Sequence, residues 1–336
     1  MKLLASLVCV VVASSSTVVA ENRELRIATL APSGSPWMAV LDRAASEIEE
    51  KTSKRVTLKY FTGGQLGDER DYIRKINLGQ IDGAAITAVG LSMIEPSILV
   101  LQMPLLFDTQ EEVDHVAGKM WPYFQKKFEA KGFRLAERGE IGWIHLMSKS
   151  KVQSMADLRK LKMCAVNTDN VGDTIVAKLG IQGVPVSIPE IDPALTSGKI
   201  DACMNSPLGA IALQWHTKIR YMASRPLVFA IGATVMSLKT IEKIAPEDRK
   251  AIDAIAKASQ KKARAVIRRA NEDARKTLLR KGVQFVEVSD EMVAELTTFA
   301  KSVQTELEGK LFTKEELAMV IKHRDEFRAK HAKPAK

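Results

Sequence analysis

The sequence predicts an α/β fold in two lobes. Three observations carry that expectation. Strand and helix patterns alternate in two separate series, a short motif recurs once in each, and the chain exceeds the size at which a single core is usual. Of 336 residues, about 316 remain once the first twenty are set aside as an export leader, which favours two lobes.

The first series opens with an apolar strand at residues 25–30, followed by the loop Ala31-Pro32-Ser33-Gly34-Ser35-Pro36. A helix then runs to about Thr52, with Trp37, Val40, Leu41, Ala44, Ala45 and Ile48 at helical spacing. Ser35 is placed to cap it and Pro36 suits its first turn. Residues 56–61 alternate as a strand, 63–67 turn, 68–78 form a helix and 82–87 a small-residue strand. Such alternation is the pattern of a parallel sheet.

A second series begins near Ile141: a strand at 141–147, a helical turn at 154–158 and a strand at 162–166. Helix 169–179, strand 184–187, helix 189–196, strand 200–204 and helix 207–215 follow. Residues 227–238 are apolar and uncharged, suited to a strand that crosses between lobes. A long helix is expected over 245–280, with an apolar stripe of Ile252, Ile255, Ala256, Ala263, Val266, Ile267 and Ala270. Two helices, 290–307 and 314–330, and a basic tail complete the chain. Lobe I is expected over 21–140 plus about 236–265. Lobe II takes 141–235 with part of the C-terminal helices in 281–336, and the helix 245–280 lies across both.

Leu78-Gly79-Gln80-Ile81-Asp82-Gly83-Ala84 in the first series is echoed by Thr196-Ser197-Gly198-Lys199-Ile200-Asp201-Ala202 in the second. In each, a helix ends at glycine, as a left-handed C-cap favours. An apolar residue, an aspartate and a small-residue strand come next.

Residues 1–20 have a basic start, an apolar stretch too short to span a bilayer, and Val18-Val19-Ala20 as small residues before Glu21. Cleavage after Ala20 and a place outside the cytoplasm, the periplasm, are expected. Cys164 and Cys203 then remain; they either pair or act as small buried apolar residues. The formal charge of +10 lies largely on helical faces at 249–281 and in the tail, interleaved with acids and without aromatics. That is a solvated surface rather than a nucleic-acid groove.

Catalytic chemistry has little support. The five histidines lack metal-ligand spacing, and neither a Gly-x-Ser-x-Gly elbow nor a phosphate loop is present. Nothing orients a Cys164–His216 pair as a nucleophile and base. No enzyme activity, cofactor or metal is expected.

The chain resembles the DctP-type solute-binding proteins of TRAP transporters over nearly all of its mature length. The segments that carry the likeness are Gly63-Gly64-Gln65-Leu66-Gly67, Leu78-Gly79-Gln80-Ile81-Asp82-Gly83 and Met103-Pro104-Leu105-Leu106-Phe107. Ser154-Met155-Ala156-Asp157-Leu158-Arg159-Lys160-Leu161-Lys162 and Ser197-Gly198-Lys199-Ile200-Asp201 with Asn205 add to it. Their order and spacing, more than any one of them, make the signal specific. The resemblance implies a two-lobed periplasmic binding protein fold with parallel-rich sheets, crossing strands and a long lobe-spanning helix. It also implies a ligand held between the lobes and passed to an integral-membrane permease.

The resemblance also implies two arginines that clamp a ligand carboxylate. Matched residue by residue, their positions here hold Cys164 and Ile144. An unpartnered desolvated carboxylate costs several kcal/mol, so an apolar or amphipathic ligand is expected, with Lys149 or Lys162 as off-position substitutes for the clamp. Trp37, Gln65, Thr87, Ile144, Cys164, Asn167, Asn205 and Trp215 are the expected ligand-binding residues. Trp143 alternates with Ile144 and should face away from the cleft. The stretch from Asn205 to Trp215 looks more like a branch of the family that works with a tetratricopeptide-repeat partner. A carrier or chaperone of hydrophobic molecules without a permease is the alternative.

Overall fold

The computed structural model describes residues 22–166 and 170–331. The expected leader, its cleavage point, Asn167 and the last five residues of the basic tail lie outside that range.

Among the described residues ten strands form the sheet system: β1 Arg23–Thr29, β2 Val56–Phe61, β3 Gly83–Thr87, β4 Phe133–Ser148 and β5 Lys162–Val166, then β6 Gln182–Val186, β7 Ala202–Asn205, β8 Tyr221–Ala223, β9 Val228–Ser237 and β10 Gln284–Val286. Their main order is β2-β1-β3-β9-β4-β7-β5-β6, with β8 on β4 and β10 on β8. In lobe I, β1 pairs parallel with β2 and β3, and β9 pairs antiparallel with β3 and β4. In lobe II, β5 pairs parallel with β6 and β7, and the end of β4 pairs antiparallel with β7 and β8.

The strand β4 belongs to both halves. It pairs with β9 from Phe133 to Ile144, then with β7 from His145 onward. The change of sheet falls at residues 144 and 145, and the strand starts eight residues before the expected Ile141. The earlier part is hidden in the sequence because Arg134, Glu137, Arg138 and Glu140 break the apolar pattern. Register shifts at Leu135/Arg138 and Glu140/Gly142 bend the strand where it passes between lobes. Gly142 takes φ +112° there, and a Cβ on it would lie 2.8 Å from the Asn271 amide nitrogen.

Local chemistry explains the helix boundaries. Ser35 accepts from Met38 N and starts the helix Pro36–Lys51. Asp68 and Asp71 form a reciprocal capping box at the start of Glu69–Asn77. Residues 88–140, in which the pattern marks no element, hold the helix Gln110–Glu129 and a 3-10 segment Pro96–Gln102, whose near-continuous apolar run is buried in the lobe I core.

The long helix Pro246–Arg280 lies along both lobes. Its expected stripe is only partly inward: Ile267 is buried, but Val266 is 40% exposed. Polar contacts fasten it instead. Arg55 in lobe I makes two bonds to Asp248, at 2.9 and 2.6 Å. Asn271 donates to the Ile141 carbonyl and accepts from Leu208 N in lobe II.

The recurring motif has the same construction in each lobe. Gly79 and Gly198 adopt φ +69° and +73°. Arg26 donates to the Gly79 carbonyl and to Asp82, and Lys162 donates to the Gly198 carbonyl while facing Asp201 at 3.8 Å. Lys162 is thereby committed away from the cleft, as is Lys149, which donates to the Leu195 carbonyl.

Candidate ligand-binding cleft

Parallel strands leave their carboxyl ends open to a ligand, and here the two sets face each other. Thr29, Thr87, Val166 and Asn205, at the ends of β1, β3, β5 and β7, all line one cavity of about 510 Å³ between the lobes. The crossing strands β4 and β9 close one side of it, and the long helix contributes Ser259, Gln260 and Ile267. The volume falls in the range of small-molecule sites.

Six of the eight expected residues line this cavity: Trp37, Thr87, Ile144, Cys164, Asn205 and Trp215. Trp37 is held by a 3.0 Å bond from its indole nitrogen to the Glu140 carbonyl. Thr87 donates its hydroxyl to Glu69 at 2.8 Å, so its polarity is used within the protein. Asn205 accepts from Ser206 N through Oδ1 at 2.8 Å; its Nδ2 has no partner among the described residues. Trp215 is 2% exposed and packs in the lobe II core while one side borders the cavity. Cys164 and Cys203 are not joined in a disulfide.

Two expected residues are not placed there. Gln65 is exposed and is not among the lining residues; it sits in a turn in which Gly63, Gly64 and Gly67 all take positive φ. Asn167 lies outside the described residues. Trp143 packs edge-on against Phe229, with ring centroids 4.9 Å apart.

The sequence reading missed the charges on the lining: Glu69, Glu137, Arg138, Glu140 and Arg225. Burial pushes the Glu69 carboxyl up, against hydrogen bonds from the Thr87 backbone and hydroxyl. Arg138 and Glu140 belong to an ion cluster with Asp114, Arg264 and Arg268. Burial and the neighbouring cations Arg264 and Arg268 lower the Arg138 guanidinium, against the pull of Glu140 and Asp114. No nearby pattern signals these groups, since Asp114, Glu140 and Arg268 come from three distant segments.

The family model for bacterial extracellular solute-binding protein, family 7 (DctP), matches residues 27–310. The chain belongs to the DctP family.

Its members are solute receptors rather than enzymes. A relative described as an uncharacterized protein YiiZ, from Salmonella typhimurium, is 28% identical over 245 residues, covering 70% of this chain and 72% of the relative. The sugar acid binding protein DctPAm from Advenella mimigardefordensis, solved with galactonate, superposes with a TM-score of 0.86 at 20% identity, over 91% of this chain and 99% of that one. A TRAP periplasmic solute-binding protein from Desulfovibrio desulfuricans, with bound sn-glycerol-3-phosphate, has a TM-score of 0.86 at 21% identity, over 94% and 100%. The fold of this DctP protein is therefore the two-lobed fold of TRAP periplasmic solute-binding proteins. No helix among the described residues is long and apolar enough to cross a membrane.

Proposed function

We propose that this chain is exported, loses its leader after Ala20, and captures a small apolar or amphipathic ligand between its lobes for delivery to a TRAP permease. The observation that carries the ligand class is the lining of the cleft. Ile144 and Cys164 stand where the resemblance calls for arginines, and aliphatic side chains make up most of the remaining wall. The similar receptors from Advenella and Desulfovibrio hold polar acids, so this chain would differ from them in specificity while sharing their fold.

Closure supplies the mechanism. Contacts from both lobes exist together only when the halves approach, so a ligand that makes both sets shifts the population towards the closed form. The permease would read that shape. A tetratricopeptide-repeat partner belongs to the same reading, through the likeness of residues 205–215 to that branch of the family. Native mass spectrometry of protein taken from the periplasm should find an apolar or amphipathic molecule bound, and scattering should show compaction when it is restored. Tight binding of a simple diacid would overturn the ligand class, and no compaction with any bound ligand would overturn the mechanism.

A further inference from the structure

Among the described residues, five charged side chains stand on the cavity wall, and four are engaged within the protein. Glu69 serves Thr87, Glu137 accepts from Gln260, and Arg138 and Glu140 hold each other in the ion cluster. Arg225 is the fifth. It is exposed, and among the described residues no hydrogen bond or ion pair engages it.

Its position is fixed from both sides. Ser224 N donates to the Val286 carbonyl at 2.8 Å, and Leu105 N donates to the Leu227 carbonyl at 2.9 Å. Pro226 restricts the backbone between them. Arg225 thus stands at a rim where lobe I, through Leu105, meets the segment leading to the helix Asp290–Leu307.

Beyond that rim the cavity enters lobe II. Val171, Ile175 and Leu179, on one face of the helix Asn170–Leu179, line it together with Met292 and Leu296. From Val171 to Leu179 is eight residues, or about 12 Å of helix. Among the described residues, no charged side chain of the lining belongs to this compartment.

We propose that Arg225 anchors the single anionic group of an amphipathic ligand whose apolar body occupies the lobe II compartment. The substrate class is an alkyl or aryl monocarboxylate. This rests on the receptor reading above and adds to it a residue and a head group. An exposed guanidinium gives up little hydration to pair, and a carboxylate at the rim stays partly in water, which avoids the cost of burying an ion. The planar fork suits two parallel bonds to one carboxylate. A second carboxylate on the same ligand would meet aliphatic walls without a partner.

Calorimetric titration with straight-chain acids from butanoate to decanoate, each beside the alcohol of equal length, tests this in the full mature protein. Affinity should rise about three- to four-fold per methylene until the compartment is filled. The acid should exceed its alcohol by about tenfold. Arg225→Gln should abolish that preference while keeping the length dependence, and Arg225→Lys should restore part of it. Ile175→Trp, or Leu296→Phe if the first variant does not fold, should shorten the length dependence and leave the acid preference intact. Equal binding of acid and alcohol, or an unchanged preference in Arg225→Gln, overturns the anchor; affinity that does not vary with length overturns the compartment. Failure of the receptor reading shows separately, as scattering that stays unchanged when a probe has been shown to bind.

Discussion

Arg268 grips Glu140 through two hydrogen bonds, Nε to Oε2 at 3.0 Å and Nη2 to Oε1 at 2.5 Å. The contact joins the long helix to the segment of β4 that passes between the lobes. The Glu140 side chain is fully buried and Arg268 is only 20% exposed, so the pair is far less screened than a surface bridge. Arg268→Ala would leave Glu140 to Arg138 and the more distant Arg264, and should cost about 3 kcal/mol of stability in urea unfolding. Arg268→Lys should recover less than half, because an ammonium cannot reproduce the fork.

Glu95 links acid sensitivity to lobe I. Burial pushes its carboxyl up, but bonds from Ser97, Lys131 and Lys127 and the Lys127 charge outweigh that and hold it at about 2, against an ordinary 4.5. The folded value lies below the ordinary one, so the ionised form stabilises the fold. That stabilisation is complete above about pH 4.5 and is lost as the pH falls towards 2. Urea midpoints measured across that window should decline steeply in the wild type. Glu95→Gln should be less stable at neutral pH and show a shallower decline.

Gly209 should resist a substitution that usually helps. It lies in the helix Pro207–Ala212, where alanine ordinarily gains about 0.5–1 kcal/mol over glycine. Here an added Cβ would lie 2.1 Å from Asn205 Oδ1. Gly209→Ala should therefore lower the melting temperature, with an overpacking cost of about 1–3 kcal/mol, and should displace the Asn205 amide that borders the cavity.

The two thiols among the described residues should react very differently. Cys203 is buried, and burial, with the neighbouring Cys164, raises its thiol well above the ordinary range. Thiolate is the reacting form. Cys164 is half-buried on the cavity wall. A colourless-to-yellow disulfide reagent should titrate Cys164 alone in native protein and both thiols after unfolding. Ligand bound in the cleft should slow the Cys164 reaction.

Legibility in the sequence followed the range of the interactions. Ser35 before Pro36, Asp68 before its helix, and the glycines at 79 and 198 act on their own neighbours, so the elements they bound were readable. Ile144 and Cys164, expected at the cleft through resemblance, both border the cavity. What escaped depends on partners far along the chain. Glu140 and Arg268 are 128 residues apart, and each alone looks like a surface charge. Gln65 is not among the lining residues, and a side chain's direction in a turn follows from several φ angles at once, not from its place in a motif. Arg225 was passed over because a lone arginine before a proline carries no pattern.

The continuity of β4 has a consequence for how the molecule comes apart. Its last residues run between β7 and β8, inside the lobe II sheet, while its first residues complete the edge of the other. Neither half can be excised with its sheet intact. The largest apolar core also runs through both halves, joining Phe124 and Phe128 to Val171 and Ile175, so heat or denaturant should meet one cooperative unit, and a fragment cut at either side of this strand should not refold by itself.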